Sequence, residues 1–324
     1  MIRFARPLSL ALLSSAALAQ VGGPATSLSG NPALSDYARS GNTLSAPDGT
    51  QIVLSSRGPY LAGATVTLPT FDAARAGQLL GVLTGYGDGL GTPYAGYLDN
   101  PQVKPQLNTP AGTSVNAEQY LITTRQTGGK LQFSVKLSEV PASAFASSAN
   151  ATGPTKAAVV LRLFSDFQCP YCEQFETQTW PTLKAELQKN FGGKVRVEFH
   201  QLPLEQLHPN ARAAAEASEC AAAQRQFWAY KDTLFDPRNW ATWTAAANPN
   251  PNFLALASTL KLNADSFKTC LANRDGKAQV DAGLKEASVV GVNGTPTLYV
   301  NGYKVPNIYD PAATLQLIRY VLGQ

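Results

Sequence analysis

The stretch Phe164-Ser165-Asp166-Phe167-Gln168-Cys169-Pro170-Tyr171-Cys172 decides how the second half of this 324-residue chain is read. Before it, Ala157 to Phe164 is a short apolar run with the length and composition of a buried strand. After it, Cys172, Phe175, Glu176 and Thr179 fall on one face of a helix that starts beside the cysteines. Cys169 is therefore expected to cap or precede the first helical turn. Backbone N–H groups lack partners there, and the positive end of the helix dipole faces the sulfur. Such a setting favours thiolate over thiol, and the thiolate is the nucleophile of disulfide exchange. Cys172, one turn deeper, can close a bond behind the first sulfur.

Two other chemistries compete for a Cys-x-x-Cys pair. Zinc asks for four ligands, usually as two closely spaced pairs. The only histidines, His200 and His208, are separated by seven residues, and Cys220 and Cys270 do not form a second half-site. A purely structural disulfide stays open as an alternative, but the strand-to-helix position favours a redox pair. Neither a metal nor a cofactor is expected.

A distant segment, Val292-Asn293-Gly294-Thr295-Pro296-Thr297-Leu298-Tyr299-Val300-Asn301-Gly302, reads as turn, proline, strand and turn. Taken together, the two segments resemble the DsbA-like thiol:disulfide oxidoreductases of the thioredoxin superfamily, over about residues 156–324. The resemblance implies an α/β, thioredoxin-like core with a helical block inserted at about 203–290. It implies Cys169 and Cys172 as catalytic residues and a cis bond before Pro296 beside the sulfurs. Thr295 would offer its backbone to an extended substrate. Many such proteins carry a second, structural bridge at places matching Cys220 and Cys270; two free buried cysteines are the alternative. The implied partners are cysteine-containing exported proteins and a membrane quinone-linked re-oxidase of the DsbB type.

The rest of the chain fits an exported protein. Arg3 and Arg6, the apolar run Leu8 to Leu18 and the small-x-small site Ala17-Leu18-Ala19 predict a signal peptide over 1–19, hence the periplasm or cell envelope. Disulfides persist in such compartments. Residues 20–155 carry seven acidic and seven basic side chains, and 156–324 carry fifteen and seventeen. This near-neutral balance points away from nucleic acid as a partner.

Residues 20–50, rich in Gly, Ser, Pro, Asn and Ala, are expected to form a flexible leader. A small α+β domain is expected over 51–141, with strands at 51–54 and 64–68, a helix from Phe71 to Leu83, and a loop over Gly85 to Gly91. A hairpin is expected around Thr127-Gly128-Gly129, flanked by Tyr120–Thr124 and Leu131–Leu137. Residues 142–155 read as a linker. In the second part, one long helix is expected from Asn210 to Phe235. Pro181 is expected to kink the helix that follows the cysteines.

Local charge bears on redox direction. Asp166, Glu173 and Glu176 surround the pair, and each negative charge near Cys169 opposes its thiolate. Asp166 could equally be a turn or cap carboxylate. No Lys or Arg lies between Arg162 and Lys184, and Pro170-Tyr171 lacks the histidine of strongly oxidising relatives. The expected activity is that of a mild oxidant. The alternatives are an isomerase or reductase acting through a dimer, or an N-terminal binding module with an accessory redox domain.

Overall fold

A computed structural model describes residues 21–28 and 30–324. The expected signal peptide over 1–19 lies outside the described residues. The chain divides between Lys136 and Leu137 into two units.

Alternating apolar residues shape the first unit. Its strands are β1 (Ala38–Ser40), β2 (Thr43–Ser45), β3 (Gln51–Arg57) and β4 (Tyr60–Leu68), and after three helices β5 (Thr113–Ala117), β6 (Tyr120–Thr127) and β7 (Lys130–Leu137). They form one sheet in the order β1-β2-β3-β4-β7-β6-β5. Ile52, Leu54, Val66, Leu131, Phe133 and Val135 point to its buried face. Gly128 and Gly129, both at positive φ, make the β6–β7 turn. The helices are α1 (Ala73–Thr84), α2 (Asp88–Asp99) and the short α3 (Lys104–Leu107).

Two expectations change here. The flexible leader expected over 20–50 is not what the described residues of that stretch form: Val21, Leu28, Leu34 and Leu44 are buried, β2 pairs with β3, and the Val21 amide donates to the Leu83 carbonyl at 2.8 Å. Nor is Gly85 to Gly91 all loop, because α2 begins at Asp88. The glycines let α1 and α2 touch backbone to backbone: a Cβ at Gly91 would stand 2.6 Å from the Gly77 carbonyl oxygen, and one at Gly81 would run into the Gly87 carbonyl.

The second unit, Leu137–Gln324, is built on a five-stranded sheet. Its strands are β8 (Ala151–Thr152), β9 (Val159–Ser165), β10 (Val195–Gln201), β11 (Thr297–Val300) and β12 (Tyr303–Lys304), in the order β12-β11-β9-β10-β8. β9 runs parallel to β10 and antiparallel to β11. Helix α4 (Pro170–Gln174) follows β9, a π turn spans Phe175–Thr179, and α5 (Trp180–Phe191) leads on towards β10. The π turn stands directly ahead of Pro181, which lies in the first turn of α5 and has no N–H to give to the preceding turn.

Six helices separate β10 from β11: α6 (Ala211–Ala223), α7 (Phe227–Phe235), α8 (Pro237–Thr244), α9 (Asn250–Thr259), α10 (Ala264–Asn273) and α11 (Lys277–Val289). Helix α12 (Pro311–Leu322) closes the chain. The long helix expected over 210–235 is broken at Arg225, which has φ of 61°. Phe167 meets Phe199 and Phe235 at ring separations of 5.2 and 5.1 Å, so aromatic packing joins the helical block to the sheet. The stretch 142–155 is not a linker. Phe145 is buried in a cluster with Phe164, Leu202, Val292 and Tyr299, and β8 pairs with β10.

Gly81→Ala is expected to force α1 and α2 apart and to destabilise the first unit by about 1–3 kcal/mol, the usual cost of overpacking. Chemical denaturation of the variant and the parent protein checks this.

Candidate active site

The turn from β9 into α4 carries both cysteines of the pair. Cys169 is the N-cap of α4, with φ −70° and ψ 123°, and Pro170 occupies the first helical position, where its missing N–H costs nothing. The Cys169 carbonyl accepts the Cys172 and Glu173 amides, both at 3.1 Å. Cys169 keeps 4% of its surface exposed and Cys172 none, so an incoming thiol meets Cys169 first. Both thiols are free.

Each sulfur has its own hydrogen-bond setting. Cys169 Sγ donates to the Thr295 carbonyl at 3.6 Å, and Cys172 Sγ accepts the Asp166 amide at 3.5 Å. The Thr295–Pro296 peptide bond is cis. The Cys172 thiol, aided by Thr295 and by the Tyr171 and Cys172 amides, holds Cys169 down at about 6 against the opposing effect of burial. Burial pushes Cys172 far up, and the charge on Cys169 adds to this. The pair thus holds one thiolate in front and one thiol behind.

Two of the acidic neighbours are engaged by partners from distant parts of the chain. Asp166 is buried, and its carboxylate accepts the Gln168 amide at 2.7 Å, the Leu204 amide at 2.8 Å and His208 Nδ1 at 2.7 Å. It is a turn-bracing carboxylate. Glu176, on the π turn, meets Lys231 Nζ of α7 at 2.6 Å, and Lys231 also meets Asp232 at 2.8 Å. Burial alone would lower Lys231, but these two carboxylates outweigh it and raise it. Glu173 is half-buried in the first turn of α4. The basic partner that the local sequence lacks comes from the inserted helices.

Other residues fall as follows. Cys220 and Cys270 form a disulfide between α6 and α10, with Cα atoms 5.8 Å apart. His200 is buried, stacked on Phe164 at 4.8 Å and bonded through Nδ1 to Glu286 at 2.8 Å. Among the described residues, no group of three or more His, Cys, Asp or Glu side chains could hold a metal.

Two aromatic residues at the site were not read from the sequence. Trp240 of α8 donates Nε1 to the Phe167 carbonyl at 2.8 Å, and the Tyr309 hydroxyl donates to the Tyr171 carbonyl at 3.2 Å. Burial first, then the charges on Cys172 and Cys169, push Tyr309 up to about 12. Helix α8 had a readable start in Asp236-Pro237, where Asp236 accepts the Arg238 amide at 3.0 Å. Nothing in the sequence links Tyr309 to a motif 138 positions away.

A thioredoxin-like sheet, a helical insertion and a dithiol at a helix start define a class of dithiol–disulfide protein. Residues 147–319, more than half of the chain, match the family model described as Thioredoxin, and the chain belongs to that family. Among curated proteins, it is similar to the Na(+)/H(+) antiporter NhaA 3 of Salinispora tropica, 37% identical over 158 residues that cover 49% of this chain and 22% of that protein. It is also similar to the Na(+)/H(+) antiporter NhaA of Herminiimonas arsenicoxydans, 32% identical over 161 residues that cover 49% and 23%. The chain thus spans less than a quarter of the length of these relatives. Among the described residues, no helix is long and apolar enough to cross a membrane. Similar solved structures include BdbD from Bacillus subtilis in its oxidised form, 22% identical, covering 53% of this chain and 92% of that one with a TM-score of 0.45. Another is DsbA2 of Pseudomonas aeruginosa, 22% identical, covering 54% and 95% with a TM-score of 0.41.

Two measurements test the site. In the reduced protein, ultraviolet absorbance of the thiolate should titrate near pH 6, and alkylation of Cys169 should fall away below that pH while Cys172 stays unmodified. Lys231→Met should leave Glu176 buried without its partner and cost about 3–5 kcal/mol. A Lys231→Met/Glu176→Leu pair should recover most of that in a denaturation experiment.

Proposed function

We propose that this protein is an exported thiol:disulfide oxidoreductase that oxidises cysteine pairs in secreted or envelope proteins. The observation carrying this reading is the asymmetric pair: a stabilised thiolate at Cys169, at the start of a helix, with Cys172 buried behind it. Starting from an oxidised pair, a substrate thiolate attacks the Cys169 sulfur. The Cys169–Cys172 bond breaks, a mixed disulfide forms, and Cys172 leaves and takes up a proton. A second substrate thiolate then attacks the substrate sulfur of the mixed disulfide and expels Cys169 as thiolate. The substrate loses two electrons and the pair gains them.

The same asymmetry supports the oxidising direction. A midpoint near 6 leaves about nine-tenths of Cys169 ionised at pH 7. Stabilising the reduced form makes the pair more oxidising, and a good leaving thiolate speeds release of product. Thr295, whose carbonyl already meets the Cys169 sulfur, is the backbone to which an extended substrate segment would pair. A membrane quinone-linked re-oxidase of the DsbB type would accept the electrons. The apolar leader over 8–18 supports delivery to the periplasm or cell envelope.

A second reading concerns the first unit. A cleft of about 550 Å³ lined by Arg75, Gln78, Val82 and Tyr86 supports a binding role for that unit beside the redox domain.

Cys169→Ser is expected to abolish oxidation of a reduced peptide. Cys172→Ser should instead accumulate mixed disulfides, visible as adducts on non-reducing gels. Equal loss without adducts in Cys172→Ser would count against the assigned roles.

A further inference from the structure

Three residues, Asp166 to Gln168, form the turn between β9 and Cys169, and each is tied to the segment that follows β10. The Asp166 carboxylate takes the Leu204 amide at 2.8 Å and His208 Nδ1 at 2.7 Å. The Phe167 carbonyl takes the Trp240 indole N–H at 2.8 Å. Gln168 is held at both ends of its amide, accepting the Asn210 N–H at 2.6 Å and donating to the Thr244 carbonyl at 3.1 Å. Asn210 is itself fixed, since its side-chain amide donates to Ala246 at 2.9 Å and to Trp243 and Thr244 at 3.3 Å.

The turn passes this order directly to the redox pair. The Asp166 carbonyl accepts the Cys169 amide at 3.2 Å, and the Asp166 amide donates to Cys172 Sγ at 3.5 Å. A shift of the turn therefore moves the Asp166 amide away from the Cys172 sulfur and carries Cys169, at the helix start, out of its place relative to Cys172. The Cys172 thiol is the first donor that holds Cys169 as a thiolate, and hydrogen bonds to ionised sulfur depend steeply on distance and angle, so small displacements between the two cysteines alter how well that thiolate is held.

We propose that His208, Trp240 and Gln168 are positioning residues for dithiol exchange: they pin the turn before Cys169 to the inserted helical block and so hold the Cys169 sulfur at the helix start beside Thr295. None of the three needs to touch substrate. The inserted block is then part of the redox centre, through bonds that end on the three residues preceding the nucleophile. This proposal rests on the dithiol-exchange reading above.

The test compares full-length His208→Ala, His208→Asn and Trp240→Phe proteins with the parent. His208→Asn keeps an N–H donor near the place of Nδ1, and Trp240→Phe keeps the ring and loses only the donor. Two quantities are read on reduced, folded protein: the rate of Cys169 alkylation by iodoacetamide at pH 6, and the equilibrium of the pair with glutathione. Losing one such hydrogen bond should lower the alkylation rate about three- to tenfold and make the pair less oxidising. His208→Asn should restore most of the loss seen in His208→Ala. Folded His208→Ala and Trp240→Phe proteins with parental alkylation and glutathione equilibrium would overturn the proposal, as would His208→Asn behaving like His208→Ala. Should His208→Ala not fold, Trp240→Phe decides by the same two readings. A parent protein that fails to oxidise any dithiol peptide would defeat the functional reading instead, because alkylation reports on Cys169 without turnover.

Discussion

A negative sulfur can persist in a nearly dry site only where donors are already aimed at it. Cys169 meets that condition by standing at the start of α4, with the Cys172 thiol behind it and the Tyr171 and Cys172 amides beside it. Cys172 has the opposite surroundings, and burial keeps its proton on. Two identical side chains three residues apart therefore play different roles. The rest of the second unit can be understood as what keeps that difference in place. β9 delivers the turn, β11 brings Thr295 alongside, and the inserted helices hold the turn.

Compensation of charge follows the same logic. Along the chain, Asp166, Glu173 and Glu176 crowd the pair with negative charge, which argues for a weak thiolate. In space, Asp166 spends its oxygens on two backbone amides and a histidine, and Glu176 spends its charge on Lys231. A buried carboxylate with a full set of donors braces the backbone and side chains that supply them. The helical block, which looks like an accessory to the thioredoxin-like sheet, supplies partners to two of the acidic side chains nearest the pair.

How much could be read beforehand depended on how local each feature is. The strand–cysteine–helix motif and the β11–β12 hairpin around Asn301-Gly302 are carried by consecutive residues and were legible. The partners of Asp166 and Glu176 were not, because His208 lies 42 positions from Asp166 and Lys231 lies 55 from Glu176. Glycine was ambiguous for a different reason. It announces a missing Cβ, which serves a loop and a close helix contact equally well: Gly77, Gly81 and Gly91 use it for contact, and Gly87 uses it to hold a positive φ. Residues 21–50 misled by composition: Val21, Leu28, Leu34 and Leu44 are spaced without helix or strand period, so their burial has no periodic trace.

The Cys220–Cys270 bond turns residues 220–270 into a covalent ring, and that ring contains Lys231, Trp240 and Thr244. The partner of Glu176 and two anchors of the turn before Cys169 are thus threaded on one closed hoop, while His208 and Asn210 lie outside it. Closing the hoop removes from the unfolded chain the conformations in which those three residues wander independently. The ring therefore ties the partner of Glu176 and two anchors of the Cys169 turn into one covalent unit, closed by the same kind of bond that a dithiol pair can form.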